Sequence, residues 1–353
     1  SGVTVASEIN HQGFWYKYGN GTTVEFGNSS CCGPYGYFGA NFQFVTSVVP
    51  DLAVPETKTF EAKSPGQINF VNNASSFKAL DASAGSISLG KNVSATGDMK
   101  LTAKTGNITQ AASSVASADK VSLDASSGAI GTSSQSIHTN VNTLAAKAAQ
   151  KVFIEESNDL TIGQVGTIAG ITTSNDISVT AGGAMAMIDG TEINAGSGKI
   201  SLMAEDDITI SRVVTTSSAD KAVDLKSTSG SIFDGGDTGG FDIDVVNGQL
   251  VASGKLFGTV ANPLEVRAAR TDFSGIEGVS VDLTSVNGIT ITANATFTEA
   301  TTFNADSNFD GLGTFTVNPD ITVSTVESGS AGKQLTIIAA DLDLKGYLDS
   351  GDS

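Results

Sequence analysis

The chain has 353 residues, 40 of them glycine, and carries a formal net charge of −18 although only 16% of its residues are charged. Its apolar content of 39% is regularly patterned, which argues against a disordered protein. The acidic balance disfavours nucleic acid and anionic membranes as partners, because both are negatively charged. No segment approaches the ~20 consecutive apolar residues of a membrane-spanning helix, so we expect no membrane insertion.

Residues 1–60 form an aromatic, glycine-rich region that differs from the rest of the chain. The segment ANFQFVT alternates apolar and polar residues, which is typical of a half-buried strand, whereas YGNGT and CGPYG have the composition of turns. We therefore expect an antiparallel β region here. We interpret it as a cap or an assembly region, and we interpret residues 61–353 as a separate repeat region.

Seven residues of this first region are candidates for contacts with other molecules. Aromatic rings stack on sugars and stabilise protein interfaces, although packing inside the region is the alternative. The adjacent cysteines can bridge to other chains or stay reduced, since a disulfide between neighbours closes a strained ring. The candidates are Trp15, Tyr16, Tyr18, Tyr35 and Tyr37 among the aromatics, and Cys31 and Cys32.

From about residue 65 onward one phrase recurs, in which a Leu is followed by Gly five positions later and by Ile seven positions later. It begins at Leu80, Leu101, Leu123 and Leu225, and the first three copies are 21 and 22 residues apart. A period of this length is typical of a solenoid. The phrase is interrupted at 131–150 and at 233–280, where we expect insertions.

The phrase predicts two or three short strands per repeat. In MKLTA the residues Met99, Leu101 and Ala103 share one face, because side chains alternate along a strand. Gly106 follows at a corner that requires either a positive φ or the absence of a Cβ atom. Successive coils then pair in parallel, with Leu stacked on Leu in the interior. The alternative is an antiparallel sandwich, but sandwich strands do not share an internal phrase.

The sequence therefore predicts an all-β parallel β-helix, and a helical solenoid is excluded. TLAAKAAQK at 143–151 is the only helix-like stretch, and we expect it to form a turn or part of a strand.

Residues 80–350 resemble the repeats of filamentous-haemagglutinin-like bacterial surface adhesins. The similarity is carried by NDLTIGQVGTIAGITTSNDISVTAGGAM (158–185), NGQLVASGKLFGTVANPLEVRA (247–268) and LTIIAADLDLKGYLDSG (335–351). The resemblance implies a right-handed parallel β-helix that acts outside the cell in adhesion, aggregation or surface architecture. It implies no catalytic or binding residues, because the shared motif is structural.

Two acidic, glycine-rich turns are candidate calcium sites, since spaced carboxylates on flexible turns supply hard oxygen ligands. The first is FDGGDTGGFDID, with Asp234, Asp237, Asp242 and Asp244, and the second is NADSNFDG at 304–311. A solvated acidic turn is the alternative in both places. Calcium is the only cofactor that the sequence suggests.

A calcium-dependent polysaccharide lyase or hydrolase is the alternative function, because other β-helices support such chemistry. Its carboxylates and cations would come from Glu205, Asp206, Asp207 and Arg212, from the first acidic turn, or from Arg267, Arg270 and Asp272. Histidine is limited to His11 and His138, and we expect His138 to be exposed in a loop.

In preference to an enzyme, we predict a non-catalytic extracellular rod at the cell surface. Its expected partners are further copies of itself, in a filament or lattice, and cell-surface or matrix components.

Overall fold

The computed structural model describes residues 59–350 except 72–73, 237–239, 260, 280, 298–299 and 326–331, together with the backbone of three short strands before residue 44. The described residues contain strands, turns and bends, with no helix among them. Nearly all strand pairs are parallel, and they form a β-solenoid of about 12 turns. The predicted all-β parallel solenoid is therefore confirmed.

The solenoid is built from short strands, most of them two to six residues long. In the first third of the chain they are β1 Tyr16–Tyr18, β2 Val24–Phe26, β3 Phe42–Gln43, β4 Thr59–Lys63, β5 Gln67–Phe70, β6 Ser75–Phe77, β7 Ala79–Ala84, β8 Ser86–Leu89, β9 Val93–Ala95, β10 Met99–Ala103, β11 Ile108–Gln110 and β12 Ala116–Ala125. In the middle they are β13 Ile137–Ala148, β14 Val152–Glu156, β15 Leu160–Ile162, β16 Gln164–Val165, β17 Ile168–Ala169, β18 Ile171–Thr172, β19 Ile177–Ala181, β20 Met185–Met187, β21 Ile193–Asn194, β22 Ile200–Ala204, β23 Ile208–Ile210, β24 Val213–Val214, β25 Val223–Ser227 and β26 Ile232–Asp234. In the last third they are β27 Ile243–Phe257, β28 Leu264–Val279, β29 Val281–Thr284, β30 Ile289–Ile291, β31 Ala295–Thr296, β32 Thr301–Asn304, β33 Thr314–Val317, β34 Thr322–Ser324, β35 Leu335–Ile338, β36 Asp341–Leu344 and β37 Tyr347–Asp349.

One column of inward-facing side chains runs the whole described length of the solenoid. Each member is the register partner of the next, and all but the last are at most 1% exposed. The column consists of Ala62, Ala82, Leu101, Leu123, Ala146, Ile171, Ile193, Val213, Ile243, Val266, Leu283, Phe303 and Ile337. The predicted interior stack of leucines is thus part of a longer stack of apolar residues.

A second column lies on another face of the coil and also has thirteen members. It consists of Ile68, Ile87, Ile108, Ile130, Val152, Ile177, Ile200, Val223, Leu250, Thr271, Ile291, Val317 and Leu344. Burying such a β-branched or branched side chain stabilises the fold by about 1.5–3 kcal/mol relative to its exposure, so the two columns supply much of the driving force for coiling.

The first copy of the recurring phrase stacks two residues out of step with the others. Leu101 faces Leu123 as predicted, but Leu80 faces Met99, and Ala82 faces Leu101. The Ile residues at the end of the phrase nevertheless stack, since Ile87 faces Ile108. The corner after β7 is therefore two residues shorter than the corner after β10.

The corner glycines are required for close approach between coils. The backbone of Gly128 lies outside the left-handed region, but a Cβ atom there would lie 2.2 Å from the carbonyl oxygen of Gly106 in the coil below. Of the two reasons that the sequence left open, the absence of a Cβ atom is the one that applies at this corner.

The expected insertions at 131–150 and 233–280 were wrong, because both stretches contain regular strands of the solenoid. Residues 137–148 form β13, which includes most of the helix-like TLAAKAAQK and pairs with β12 over nine positions. Residues 243–257 and 264–279 form the long strands β27 and β28, which pair with each other. The phrase disappears in these coils because one long strand continues around the corner where other coils have two short strands separated by a turn.

Aspartate and asparagine side chains link successive coils at one recurring position. Each directly precedes a buried apolar residue of a strand, and its side-chain oxygen accepts a hydrogen bond from a backbone N–H in the following coil. The donor–acceptor pairs, 2.8–3.1 Å apart, are Val115–Asn92, Ala129–Asn107, Ala184–Asp159, Lys199–Asp176, Ser231–Asp207, Glu265–Asp242 and Thr322–Asn294. We call these seven acceptors the Asx ladder.

The last third of the solenoid has an aromatic interior. Five buried phenylalanine rings form a chain of neighbours with centroids 5.1–6.3 Å apart: Phe257, Phe273, Phe297, Phe303 and Phe315. Edge-to-face and offset arrangements of this kind add to the free energy of burial. The interior is thus aromatic in these coils, whereas that of the middle coils is aliphatic.

The first region contributes an antiparallel pair and one strand that joins the solenoid. Strands β1 and β2 pair antiparallel, as the sequence predicts for this region. Strand β3 pairs in parallel with β5, with Phe42 facing Ile68. The proposed boundary at residue 60 stays a prediction, and the first coil begins with β4.

Candidate functional site

The first acidic turn brings together three carboxyl groups. Asp234 ends β26, Asp242 precedes β27, and Glu265 lies in β28 directly above Asp242 in the stack. One oxygen atom from each of the three lies within 4.8 Å of the others. Asp242 is 4% exposed, whereas Asp234 and Glu265 are partly buried. We call Asp234, Asp242 and Glu265 the carboxyl cluster.

Hydrogen bonds from neighbouring backbone and side-chain groups hold this cluster in place. One oxygen of Asp234 accepts a bond of 2.8 Å from the backbone N–H of Gly236, and the other accepts a bond of 2.5 Å from the side-chain amide of Asn262. Asp242 belongs to the Asx ladder and accepts a bond of 2.8 Å from the backbone N–H of Glu265. The cluster is therefore organised by the stacking of the coils themselves.

Burial raises the pKa of Asp242 to about 8. The backbone hydrogen bond from Glu265 opposes this shift, while a side-chain hydrogen bond to Glu265 and the nearby charges of Asp234 and Glu265 reinforce it. The raised pKa favours the protonated carboxyl of Asp242 in the folded protein, and a proton held between Asp242 and Glu265 reduces repulsion within the cluster.

Asp244, the last of the four aspartates that the sequence predicts at this turn, has a different partner. Its carboxylate accepts a bond of 2.8 Å from Nε of Arg267 and a second bond from Nη2 of the same side chain. Asp244 raises the pKa of Arg267, and the guanidinium also lies 4.8 Å from the ring centroid of Phe241. Asp244 therefore forms a structural ion pair. Asp237 lies outside the described residues.

The carboxyl cluster has the donor chemistry that a hard cation such as Ca²⁺ prefers, although Ca²⁺ usually takes six to eight oxygen ligands. To bind there, a cation would have to displace the proton of Asp242 and the hydrogen bond between Asp242 and Glu265. The calcium site thus stays a prediction, in which Glu265 joins Asp234 and Asp242 and Asp244 is bonded to Arg267.

The second acidic turn satisfies its central carboxylate internally. Asp306 is 6% exposed, and its two oxygens accept hydrogen bonds of 3.1 Å from the backbone N–H groups of Asp310 and Gly311. Leu312 in turn donates its N–H to Asp310 over 3.0 Å. The bonding of Asp306 favours a rigid loop over a cation site.

The residues considered for an enzyme are found in local pairs. Arg212 bonds Glu192 over 2.8 Å, Arg270 bonds Asp220, and Asp207 belongs to the Asx ladder. Asp272 accepts bonds from the backbone and hydroxyl of Ser274, and Asp206 accepts a bond from the hydroxyl of Ser229. Glu205 is exposed beside Asp206. Each of the three arginines therefore has a carboxylate partner.

His138 is in strand β13 and not in the loop that the sequence suggested. Its backbone N–H donates to the side-chain oxygen of Gln110, and its Nδ1 lies 3.5 Å from a carboxylate oxygen of Glu155. The amide of Gln110 also donates to the carbonyl of His138, so the pair joins two adjacent coils.

The sequence did not single out Glu265 or Asn262. The signal for Glu265 was present, since it directly precedes Val266 as Asp242 precedes Ile243. It was missed because residues 233–280 were interpreted as an insertion and not as stacked coils. Glu156 was missed for a similar reason, because its partner Val141 lies in the other stretch that was interpreted as an insertion, 131–150. It is 1% exposed, and its carboxylate accepts hydrogen bonds from the N–H groups of Val141, Ser157 and Asn158.

The contact candidates of the first region have no described side chains. Tyr16 and Tyr18 lie in β1, while Trp15, Cys31, Cys32, Tyr35 and Tyr37 lie outside the described residues. A search of the described residues finds no helix long and apolar enough to cross a membrane.

Comparison with known proteins leaves the fold as the strongest guide to function. The chain matches no protein-family model, no curated protein and no solved structure.

Proposed function

We propose that the protein is an extracellular structural or adhesive rod that works without catalysis. The observation that carries this proposal is the pair of interior columns, which extend through every coil from residue 62 to residue 344. Adjacent strands lie ~4.8 Å apart, so about 12 turns give a rod roughly 57 Å long. A rod of this kind holds one end of the molecule at a fixed distance from the other.

The surface of the rod supports a structural role. Several of its charged side chains form ion pairs one coil away, as for Lys151 with Asp176 and Arg212 with Glu192. Such exposed pairs each contribute about 0–1 kcal/mol and act chiefly on register and solubility. The resemblance to filamentous-haemagglutinin-like adhesin repeats supports a position outside the cell.

Negative-stain microscopy and small-angle X-ray scattering of the purified chain test the shape. The proposal requires a particle clearly longer than it is wide, about 57 Å along its axis, with an asymmetric distribution of interatomic distances in scattering. A particle of equal dimensions in all directions, with a symmetric distance distribution, contradicts it.

Adhesion needs a separate test, since a rod need not be adhesive. A screen of glycans and matrix proteins against the wild type and Trp15→Ala compares binding with and without one candidate aromatic. Binding that Trp15→Ala weakens supports adhesion through the first region, and the absence of binding in the whole screen removes the adhesive part of the proposal.

A further inference from the structure

Three asparagines of the chain are followed directly by glycine, and the structure describes two of these dipeptides. They are Asn247–Gly248 and Asn287–Gly288, while Asn20–Gly21 lies outside the described residues. Asparagine before glycine is chemically labile, because glycine has no side chain to hinder attack on the asparagine amide by the next backbone nitrogen. The two described dipeptides have the same sequence, so a difference in their reactivity has to come from the fold.

Asn287–Gly288 lies at the corner between β29 and β30, outside both strands. Asn287 is exposed, and its backbone N–H donates to the hydroxyl of Ser285 over 3.4 Å. Within the described part of the chain, its side chain has no hydrogen-bond partner, and no group accepts a hydrogen bond from the N–H of Gly288. The side-chain amide and the backbone nitrogen that would attack it are therefore both unconstrained by partners.

The fold requires glycine at position 288. Its φ is 109°, a conformation that other residues rarely adopt. A Cβ atom there would also lie 2.7 Å from the carbonyl oxygen of Thr314 in a neighbouring coil. A bulkier residue that would protect the Asn287 amide is thus excluded by the geometry of the corner.

Asn247–Gly248 lies inside strand β27 and is held more firmly. The backbone is fixed on both sides of the dipeptide, since Val245 and Gln249 are both in register with residues of β28. The Asn247 side-chain amide donates to the carbonyl of Thr216 over 3.5 Å. Ring closure here requires the strand to open locally, and an opening that costs about 1.4 kcal/mol lowers the rate about tenfold.

We propose that Asn287 is a site of spontaneous deamidation, which the fold leaves reactive while it protects Asn247. The Gly288 nitrogen attacks the side-chain carbonyl carbon of Asn287 and forms a C–N bond. The proton of that nitrogen leaves with the side-chain amino group as ammonia, so a succinimide ring remains. Solvent water then adds to one of the two ring carbonyls and opens the ring, without oxidation or reduction.

The two directions of ring opening have different consequences for the coil. Cleavage of the new bond gives aspartate, which leaves the backbone unchanged and adds one negative charge at an exposed corner. Cleavage of the original peptide bond gives isoaspartate, which lengthens the backbone by one methylene group. Because the corner packs against the backbone of Thr314, we expect the isoaspartate form to unfold at a lower urea concentration than the unmodified protein.

Peptide mass spectrometry of the folded chain, incubated at mildly alkaline pH, tests the site. Both dipeptides are followed in the same sample, and Asn287 should deamidate at least about tenfold faster than Asn247. In concentrated urea the two rates should become similar, because the dipeptides are identical. A folded chain in which Asn247 reacts as fast as Asn287 overturns the proposal, and so does a difference that persists in urea.

The substitution Asn287→Gln tests the chemistry and its consequence. Glutamine keeps an amide at this exposed position but closes a ring far more slowly, so the aged variant should keep the unfolding midpoint of fresh protein. Aged wild type should unfold at a lower midpoint, and Asn287→Asp controls for the added charge. Fragmentation that distinguishes the two products should detect isoaspartate at position 287. Aspartate alone would indicate direct hydrolysis and would overturn the ring mechanism, and an equal loss of stability in aged Asn287→Gln would assign that loss to another site.

Discussion

At the scale of single residues, Thr271 is the exception within the second column. It is 0% exposed between Leu250 and Ile291, and its hydroxyl has no hydrogen-bond partner among the described residues. A buried hydroxyl without a partner costs about 1–3 kcal/mol. The strand at this level is stable in spite of this residue, because the other members of the column are aliphatic.

We therefore expect Thr271→Val to stabilise the protein. The substitution keeps the branched shape and removes the unpaired hydroxyl, so the free energy of unfolding should rise by about 1 kcal/mol or more. Urea unfolding measures the change. The control is Thr290→Val at an outward-facing position of the next coil, where a change within about 0.5 kcal/mol is expected. A less stable Thr271→Val protein would mean that the hydroxyl has a partner.

Asp242 should make stability depend on pH. The ordinary pKa of an aspartate, which applies in the unfolded chain, is 3.8, and the pKa of Asp242 in the folded protein is about 8. Between these two pH values the folded chain therefore binds one more proton than the unfolded chain. Its contribution to the free energy of unfolding is therefore greatest below pH 4, falls as the pH rises, and is lost above pH 8.

The substitution Asp242→Asn isolates this effect, because its amide mimics the protonated carboxyl at every pH. In buffer containing a chelator, the stability of Asp242→Asn relative to wild type should rise between pH 4 and pH 8, as measured by urea unfolding. Asp124→Asn, an outward position, controls for charge removal. A difference between wild type and Asp242→Asn that is constant across this range would place the folded pKa near its ordinary value.

The calcium prediction is tested at the same residue. If the carboxyl cluster binds Ca²⁺, calorimetry at pH 8 should detect binding to the wild type with release of about one proton at lower pH, since the cation competes with the proton of Asp242. Glu265→Gln should weaken this binding, and Asp310→Asn in the second acidic turn should not. Equal affinity in the wild type and Glu265→Gln would remove the cluster as the site.

At the scale of elements, the tight corners determine how closely the coils approach. Gly128 lies so near the Gly106 carbonyl that a side chain of any size meets backbone atoms. Among the described residues, Gly66 at the corresponding corner of the first coil has only the Ser64 hydroxyl within 4 Å of a Cβ position, at 3.9 Å. The two corners have similar sequences and different steric tolerance.

Substituting alanine at both corners compares them directly. Gly128→Ala should lower the free energy of unfolding by about 1–3 kcal/mol, because the coils must separate or the corner must distort. Gly66→Ala should be neutral or slightly stabilising, since alanine restricts the unfolded chain. Thermal melts of both variants provide the measurement. Equal effects would show that the corner glycines are selected for flexibility and not for close approach.

The sequence predicted the repeating elements and missed those that lack the repeating signal. The Leu–Gly–Ile phrase was sufficient for the parallel coil around Leu101 and Leu123, because period-two burial and a tight corner are local properties. It failed for β13, β27 and β28, where one long strand continues around the corner and no turn divides it. The pairing of Asp242 with Glu265 depends on register between residues 23 apart, which no local pattern contains.

At the scale of the whole molecule, length comes from repetition and not from a larger core. Each coil packs chiefly against the coils next to it, so adding coils adds stability and length together. The number of stacked coils therefore sets how far the described part of the solenoid extends.

Distances between spin labels on one flank of the solenoid test this arrangement most directly. Three outward-pointing residues each follow a member of the first column: Lys63, Lys147 and Thr284. Along the stack, Lys63 and Thr284 are ten levels apart, and Lys147 and Thr284 are six levels apart. With Cys31 and Cys32 replaced by serine, labels at Lys147 and Thr284 should lie about 29 Å apart, and labels at Lys63 and Thr284 about 48 Å apart, at ~4.8 Å per level. Distances that fail to grow with the number of levels would contradict the stacked solenoid and the functions proposed from it.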